Sequence, residues 1–262
     1  MNTREEAFDP TRLPIPRLRD RRRTLRRMLC PRWAYVLSHS PDPISSMVGT
    51  DRGTPIDRVA IEGFLDHHKG LVRGRVLEVK DRKYTARFGG SVDGGDKNGG
   101  GPGRVTRSDV LDINRENKDA NIIDDIRSLM SIQDRAYDCF IVTQVLQYVD
   151  DLDAAIRSIG RVLAPGGSAI VTVPTVGKLD GQADKVAGHY WRLTPDSARH
   201  LFSRHFGNDP ADLEIHGWGN ARLAAAFLSG LCVEDLSPRT FSSYDPLFAC
   251  GVLIRATRRP LS

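Results

Sequence analysis

The side chains in this sequence best suited to handling a hydroxylated ring stand together as His189-Tyr190-Trp191-Arg192. Imidazole exchanges protons near neutral pH, flat aromatic faces suit a sugar ring, and a guanidinium donates to hydroxyls or carboxylates. Carboxylates recur near the ends of apolar runs: Glu78 and Asp81, Asp109 and Asp112, Asp124 and Asp125, Asp150 and Asp151. Such groups accept from hydroxyls and pair with cations. Asp150 and Asp151 suit a magnesium ion, or equally the first turn of a helix, where acids complement the dipole. His67, His68, His200 and His205 fall on helical surfaces and read as ordinary. His216 and Asn220 flank Trp218, where they either line an acceptor pocket or, for Asn220, hold the turn in which it sits. Cys30, Cys139, Cys232 and Cys250 include no short-spaced pair, so reduced thiols are expected, with neither a zinc cluster nor a disulfide framework.

Regular elements must position these groups. Ile56, Val59, Ala60, Phe64 and Leu65 recur at helical spacing and predict an amphipathic helix ending near Gly70. Strand-like runs follow at Val76 to Val79, Val105 to Val110, Asn121 to Ile123, Cys139 to Thr143, Ala169 to Val173, Leu213 to His216 and Ala249 to Ala256. Helical patterns over 151–163, 194–206 and 221–231 fall between several of them. Strands alternating with helices at this pitch predict an α/β fold with a mainly parallel sheet covered on both faces. Such a sheet binds its ligands at the carboxyl ends of its strands. Thr194-Pro195-Asp196 is a helix start, with a hydroxyl cap, proline at the first position and an acid in the first turn. Pro165-Gly166-Gly167 stops a helix and turns the chain into the next strand.

Composition narrows the class. The chain has 262 residues, 40% hydrophobic and 27% charged, enough for a sizeable core and incompatible with a fibre or a wholly disordered chain. No apolar run approaches the roughly 20 residues of a membrane span, and the expectation is a cytoplasmic protein. The net charge of +5 resides in the first 30 residues, which hold nine arginines and four acids; the remainder is formally neutral. Residues 1–50, broken by prolines, read as an irregular Arg/Pro-rich extension before an ordered body at 51–262. A basic extension is either a solvated lead-in or a contact for phosphate. In the first 30 residues Phe8 is the single aromatic beside nine arginines, too little for base-stacking platforms, so nucleic acid is not the expected partner. Residues 89–103 contain eight glycines and read as a flexible surface loop, either tolerated or a mobile lid. Oligomeric state is not legible from these patterns.

The block from Tyr137 to Pro174, YDCFIVTQVLQYVDDLDAAIRSIGRVLAPGGSAIVTVP, resembles the second half of class I S-adenosylmethionine-dependent methyltransferases. In that family an aromatic-Asp pair opens strand four and RVL-x-PGG leads into strand five. Gly74 to Val79, GRVLEV, is similar to its first strand with the acid Glu78 near the end. The family's Gly-rich first loop is missing: Lys80-Asp81-Arg82-Lys83-Tyr84-Thr85 follows, with no glycine until Gly89. A bacterial subgroup linked to glycan biosynthesis is similar in this respect, and in its DRGTPIDR (51–58), TQVLQ (143–147) and YWR-x-T (190–194) segments and its GN pair (Gly219, Asn220).

The resemblance implies a Rossmann-like fold with a seven-stranded sheet and S-adenosylmethionine as cofactor. It places Glu78 and Asp81 at the methionine ammonium or the ribose, with Tyr84 and Thr85 supplying side-chain contacts in place of the missing glycines. Asp109, in competition with Asp112, would take the ribose hydroxyls. Asp125, in competition with Asp124, would take the adenine amino group, and Ile126 would cover a ring face. Gln144 would lie beside the transferring methyl. Asp138 would be a structural acid.

The reaction implied is an in-line displacement in which the acceptor must reach the methyl at roughly 3 to 3.5 Å. A sugar hydroxyl needs a base, and His189 is the candidate, with Tyr190, Trp191, Arg192 and Asn220 binding the acceptor. The implied product is a methylated saccharide or oligosaccharide of polysaccharide biosynthesis, in the actinobacterial case the 1-hydroxyl of a methylated mannoside. A small-molecule or natural-product methyltransferase shares every cofactor residue. The glycine-free loop leaves open a non-catalytic cofactor-binding protein.

Overall fold

The computed structural model describes residues 8–9, 40–89, 105–179 and 188–259. Residues 10–39 and 90–104, which hold most of the arginine-rich extension and of the glycine-rich loop, lie outside the described residues. The elements in chain order are α1 (Ile56–His67), β1 (Gly74–Val79), α2 (Lys83–Phe88), β2 (Val105–Asp112), β3 (Ile122–Ile123), β4 (Tyr137–Thr143), α3 (Leu152–Val162), β5 (Leu163–Pro174), α4 (Pro195–Phe206), β6 (Leu213–Trp218), α5 (Ala221–Leu228) and β7 (Gly251–Thr257).

The strands form one seven-stranded sheet in the order β3-β2-β1-β4-β5-β7-β6. The β1–β2, β1–β4, β2–β3 and β4–β5 pairs are parallel. β7 runs antiparallel between β5 and β6, because Arg258 N bonds to Gly167 O while Thr175 N bonds to Cys250 O, at opposite ends of the two strands. This is the mainly parallel sheet expected of the Rossmann-like methyltransferase fold, its strands buried as near-continuous apolar runs.

Two local devices set the centre of the sheet. Gly74 opens β1 with φ 62°, and a Cβ there would lie 2.1 Å from Asp138 Oδ2, an oxygen that accepts from Arg75 N at 2.8 Å. Asp138 is therefore the structural acid expected at the start of β4. The helices start where their caps predict: Asp151 accepts from Ala154 N at 3.0 Å at the head of α3, and Thr194 and Ser197 form a reciprocal box at the head of α4. A buried cluster that includes Leu77, Leu111, Phe140, Leu146, Ile156, Val171 and Phe202 joins the sheet to these helices.

The chain divides into two compact units. One comprises residues 65–174, 179–216 and 252–262 and holds nearly all of the sheet. The other comprises 1–64, 175–178 and 217–251. Inside it Arg52 forms a two-pronged ion pair with Asp235, and Pro55 bridges to Cys232. Cys139, Cys232 and Cys250 are buried free thiols, as expected. Burial pushes Cys232 and Cys250 up to about 12. No helix among the described residues is long and apolar enough to cross a membrane.

Candidate functional site

β1 and β4 lie side by side, yet the chain passes outward through β2 and β3 between them, so the strand order reverses at this pair. A crevice at the carboxyl ends of such a pair is where open α/β sheets bind ligands. Both strands end in the same way. Lys80 directly follows β1 with φ 78°, and Gln144 directly follows β4 with φ 55°, left-handed conformations that cost a non-glycine residue about 1–3 kcal/mol. Lys80 N donates to Leu111 O at 2.8 Å on β2, and Gln144 N to Thr172 O at 2.9 Å on β5. Each strained turn is thus tied to the outer neighbouring strand, and the two turns diverge over the β1–β4 seam.

The glycine-free segment after β1 folds as helix α2, an element that its short apolar pattern does not announce. Its organiser is Glu78, only 2% exposed. Oε1 accepts from Tyr84 N at 3.0 Å, and Oε2 accepts from Thr85 N and Thr85 Oγ1, both at 2.7 Å. Burial raises the Glu78 pKa even though these bonds favour the carboxylate. Glu78 and Thr85 therefore hold the loop, which corrects the expectation that they reach the cofactor. The Tyr84 ring is also buried and stacks on Phe88 of the same helix, centroids 6.2 Å apart, away from the contact role expected of it. Asp81 remains half-buried at the turn, its Oδ1 accepting from Lys83 N at 2.9 Å.

Asp109 is likewise corrected. It pairs in register with Leu77 in mid-strand and is 1% exposed. Its carboxylate accepts from Arg107 Nε (3.0 Å), Asn121 Nδ2 (2.7 Å), Arg75 Nε (3.0 Å) and Tyr137 Oη (2.9 Å). Burial would raise its pKa, but these four donors outweigh it and lower the pKa. Tyr137 is pushed up to about 12, by burial and by its bond to Asp109. Asp109 is the hub of an ion network, with no oxygen to spare for a ribose.

The acid at the strand's carboxyl end is Asp112. The pattern places the end of β2 at Val110, two residues short of where the strand ends. Asn117 Nδ2 joins Asp112 Oδ2 (2.6 Å) to Lys80 O (2.7 Å), drawing the ends of β2 and β1 together. Ile113 follows, 53% exposed, an apolar surface that periodicity did not single out.

After β3, Asp124 accepts from Asp125 N and from Ser131 N, both at 2.7 Å, and closes its own loop. Asp125 is gripped by Arg127, whose Nε and Nη2 lie 2.9 and 2.5 Å from Oδ2. The bond from Arg127 lowers the Asp125 pKa more than burial raises it. Ile126 is buried in the core cluster, so it is not positioned to cover a base as expected. Asp150 pairs with Arg127 at 2.8 Å, and Asp151 caps α3.

On the acceptor side the structure unites the predicted residues. Gln147, 3% exposed, donates from Nε2 to Gln144 O at 2.9 Å, and its own carbonyl accepts from Tyr190 N at 2.8 Å and Trp191 N at 3.2 Å. Trp191 Nε1 donates to Val149 O at 2.7 Å, and Leu193 N to Pro174 O at 3.1 Å. The His189–Arg192 segment is thereby pinned to the turn that carries Gln144. Tyr190 and Trp191 are 54% and 38% exposed. The His189 ring lies 4.8 Å from that of Tyr148, and its Nε2 meets Arg192 Nη1. A guanidinium only donates, so Arg192 is the donor in this contact. Gln147 Oε1 is buried without a hydrogen-bond partner among the described residues. Gln147 was legible only as the last letter of TQVLQ, with no signal of its pivotal place.

Asn220 caps α5, accepting from Arg222 N and Leu223 N at 3.1 Å and donating to Thr240 O and Ser243 O at 2.9 Å and to Ser243 Oγ at 3.2 Å, all within its own unit. Its side chain holds the turn in which it sits, the second of the two roles open to it, which corrects the acceptor-binding expectation. Trp218 is buried, and His216 bonds to Glu214 at 2.8 Å.

Comparison with known proteins places this geometry. Residues 103–171 match the family model described as a methyltransferase domain. No curated protein matches the chain. Similar solved structures include the cyclase SpnF, at 14% identity over 95% of this chain and 99% of that one, with a TM-score of 0.48. A S-adenosylmethionine-dependent methyltransferase from Archaeoglobus fulgidus is 13% identical over 78% and 98%, TM-score 0.44. Another from Mesorhizobium loti is 13% identical over 76% and 100%, TM-score 0.44. The match to a methyltransferase domain over residues 103–171 falls on β2 to β5 of a sheet with the strand order of the Rossmann-like methyltransferase fold.

Proposed function

We propose that residues 51–262 form a S-adenosylmethionine-dependent O-methyltransferase domain acting on a hydroxyl of a saccharide or oligosaccharide. The observation that carries the methyltransferase reading is the pair of left-handed turns, Lys80 and Gln144, that diverge at the reversal point of the sheet. Around them stand Asp81 and Asp112, acids suited to the ammonium and the ribose hydroxyls, and the exposed Ile113, suited to a face of the adenine. The cofactor supplies an electrophilic methyl on a sulfonium. The residues of this chain bind and orient it, and bring an acceptor into line.

The saccharide reading rests on the acceptor side. Exposed Tyr190 and Trp191 offer ring faces, Arg192 offers donors, and His189, adjoining Gln144's turn, takes the hydroxyl proton once Arg192 turns to the substrate. A hydroxyl on the 1-position of a methylated mannoside is one acceptor of this class. A natural-product hydroxyl would use the same cofactor residues, and only the acceptor distinguishes the two.

Calorimetry with S-adenosylhomocysteine tests the first step, and transfer of labelled methyl to a panel of methylated and unmethylated oligosaccharides tests the second. Absence of nucleoside binding removes the enzyme reading altogether. Binding with transfer only to non-saccharide hydroxyls removes the saccharide.

A further inference from the structure

Three side chains that the methyltransferase site does not use converge at the end of α1 and the start of β6. His67 is the last residue of α1, and His68 follows it outside the helix with φ −98° and ψ 17°. Successive residues within a helix point about 100° apart and do not face each other. Leaving the helix lets these two rings meet edge to face, with centroids 4.7 Å apart. Glu214 of β6 joins them, and one donor atom from each of His67, His68 and Glu214 lies within 4.8 Å of the others.

We propose that His67, His68 and Glu214 form a binding site for a divalent transition cation of the zinc class. Two imidazoles and a carboxylate are the donor set such a borderline ion prefers, with bonds of about 2.0–2.2 Å. Ligands at those bond lengths around a tetrahedral centre stand roughly 3.4 Å apart. His68 Nε2 and Glu214 Oε2 are 3.5 Å apart, already the edge of such a tetrahedron. His67, exposed on the surface, closes the third corner by side-chain rotation, and the fourth position is left to water.

The carboxylate is held ready. His216 Nε2 lies 2.8 Å from Glu214 Oε1, and Arg255 Nε donates to Oε2 at 3.0 Å. Arg255 is itself anchored on Pro210 O, Ala211 O and Thr257 Oγ1, each at 2.9 Å, which fixes its guanidinium beside Glu214. Partners of this kind orient a metal ligand from outside its shell. Burial opposes ionisation of Glu214, but the bonds from His216, His68 and Arg255 prevail and lower its pKa.

The test uses the full chain, stripped with a chelator and titrated with Zn²⁺ by calorimetry and with Co²⁺ by visible absorption. One equivalent binds, and the Co²⁺ spectrum shows nitrogen and oxygen ligation without a sulfur charge-transfer band. His67→Ala, an exposed change that leaves the fold alone, and Glu214→Gln each weaken Zn²⁺ binding by roughly 100-fold or more, beyond the roughly 10–100-fold of losing an outer partner. No binding at equimolar metal, a thiolate spectrum, or wild-type affinity in His67→Ala each overturns the proposal.

Discussion

The indole N–H of Trp191 donates to the carbonyl of Val149 across 2.7 Å, fastening an exposed aromatic face to the turn that follows β4. The bond makes the acceptor segment and the Gln144 turn one body. Trp191→Phe keeps the ring and deletes the donor, a loss of about 1 kcal/mol for a typical hydrogen bond. Amide hydrogen exchange across residues 188–193 should accelerate about fivefold, with S-adenosylhomocysteine affinity unchanged. Unaltered exchange would show that the backbone bonds to Gln147 O and Pro174 O hold the segment without it.

Among the described residues His189 is the imidazole in the segment pinned to Gln144's turn, and its Nε2 meets Arg192 Nη1. His189→Ala should lower methyl transfer by about 10² or more without changing cofactor affinity. A mutant turning over at the wild-type rate would assign proton removal to another group.

Asp109 and Asp112 are three residues apart and separable by experiment. Asp109→Ala removes the buried acceptor of Asn121 and Tyr137 and should cost about 1–3 kcal/mol of stability, read by urea unfolding. Asp112→Ala, at the strand's end, should leave unfolding nearly unchanged and weaken S-adenosylhomocysteine binding by about tenfold or more, as loss of a charged hydrogen bond predicts. Calorimetry on both variants decides the assignment, which is lost if Asp109→Ala folds normally and binds poorly.

The Glu78 and Asp109 carboxylates pull the pH dependence of stability in opposite senses. Burial raises the folded pKa of Glu78, so its contribution is complete below the ordinary Glu value of about 4.3 and declines as pH climbs through the folded value. Asp109 is lowered, so its contribution is complete above the ordinary Asp value of about 3.9 and declines as pH falls through the folded value. Glu78→Gln sets an amide N–H₂ against the donors of α2 and should destabilise by about 1–3 kcal/mol near pH 7. It should also abolish the decline that begins near pH 4.3. Urea midpoints across pH 3 to 8 for both proteins measure the two effects, and parallel curves would mean that Glu78 does not titrate as argued.

Much of the architecture was written in local pattern. Apolar runs, the Thr194-Pro195 cap and the turn glycines set where strands and helices lie, because period, cap and turn chemistry act over a few neighbouring residues. Side-chain chemistry brought His189 to Arg192 forward, and the family resemblance brought Gln144. Local pattern did not reveal α2, because a six-residue helix has too little periodicity; what forms it is a buried carboxylate reaching from β1. Nor did it rank the acids. Whether Glu78, Asp109 or Asp112 has an oxygen left for a ligand depends on which donors surround it, and those come from residues up to 34 positions away, such as Arg75 on the neighbouring strand. Asn220 was ambiguous for the same reason, its partners Thr240 and Ser243 being supplied by a distant turn. Residue type and spacing determined which groups were available for chemistry; the packing of distant segments decided which of them were already spent.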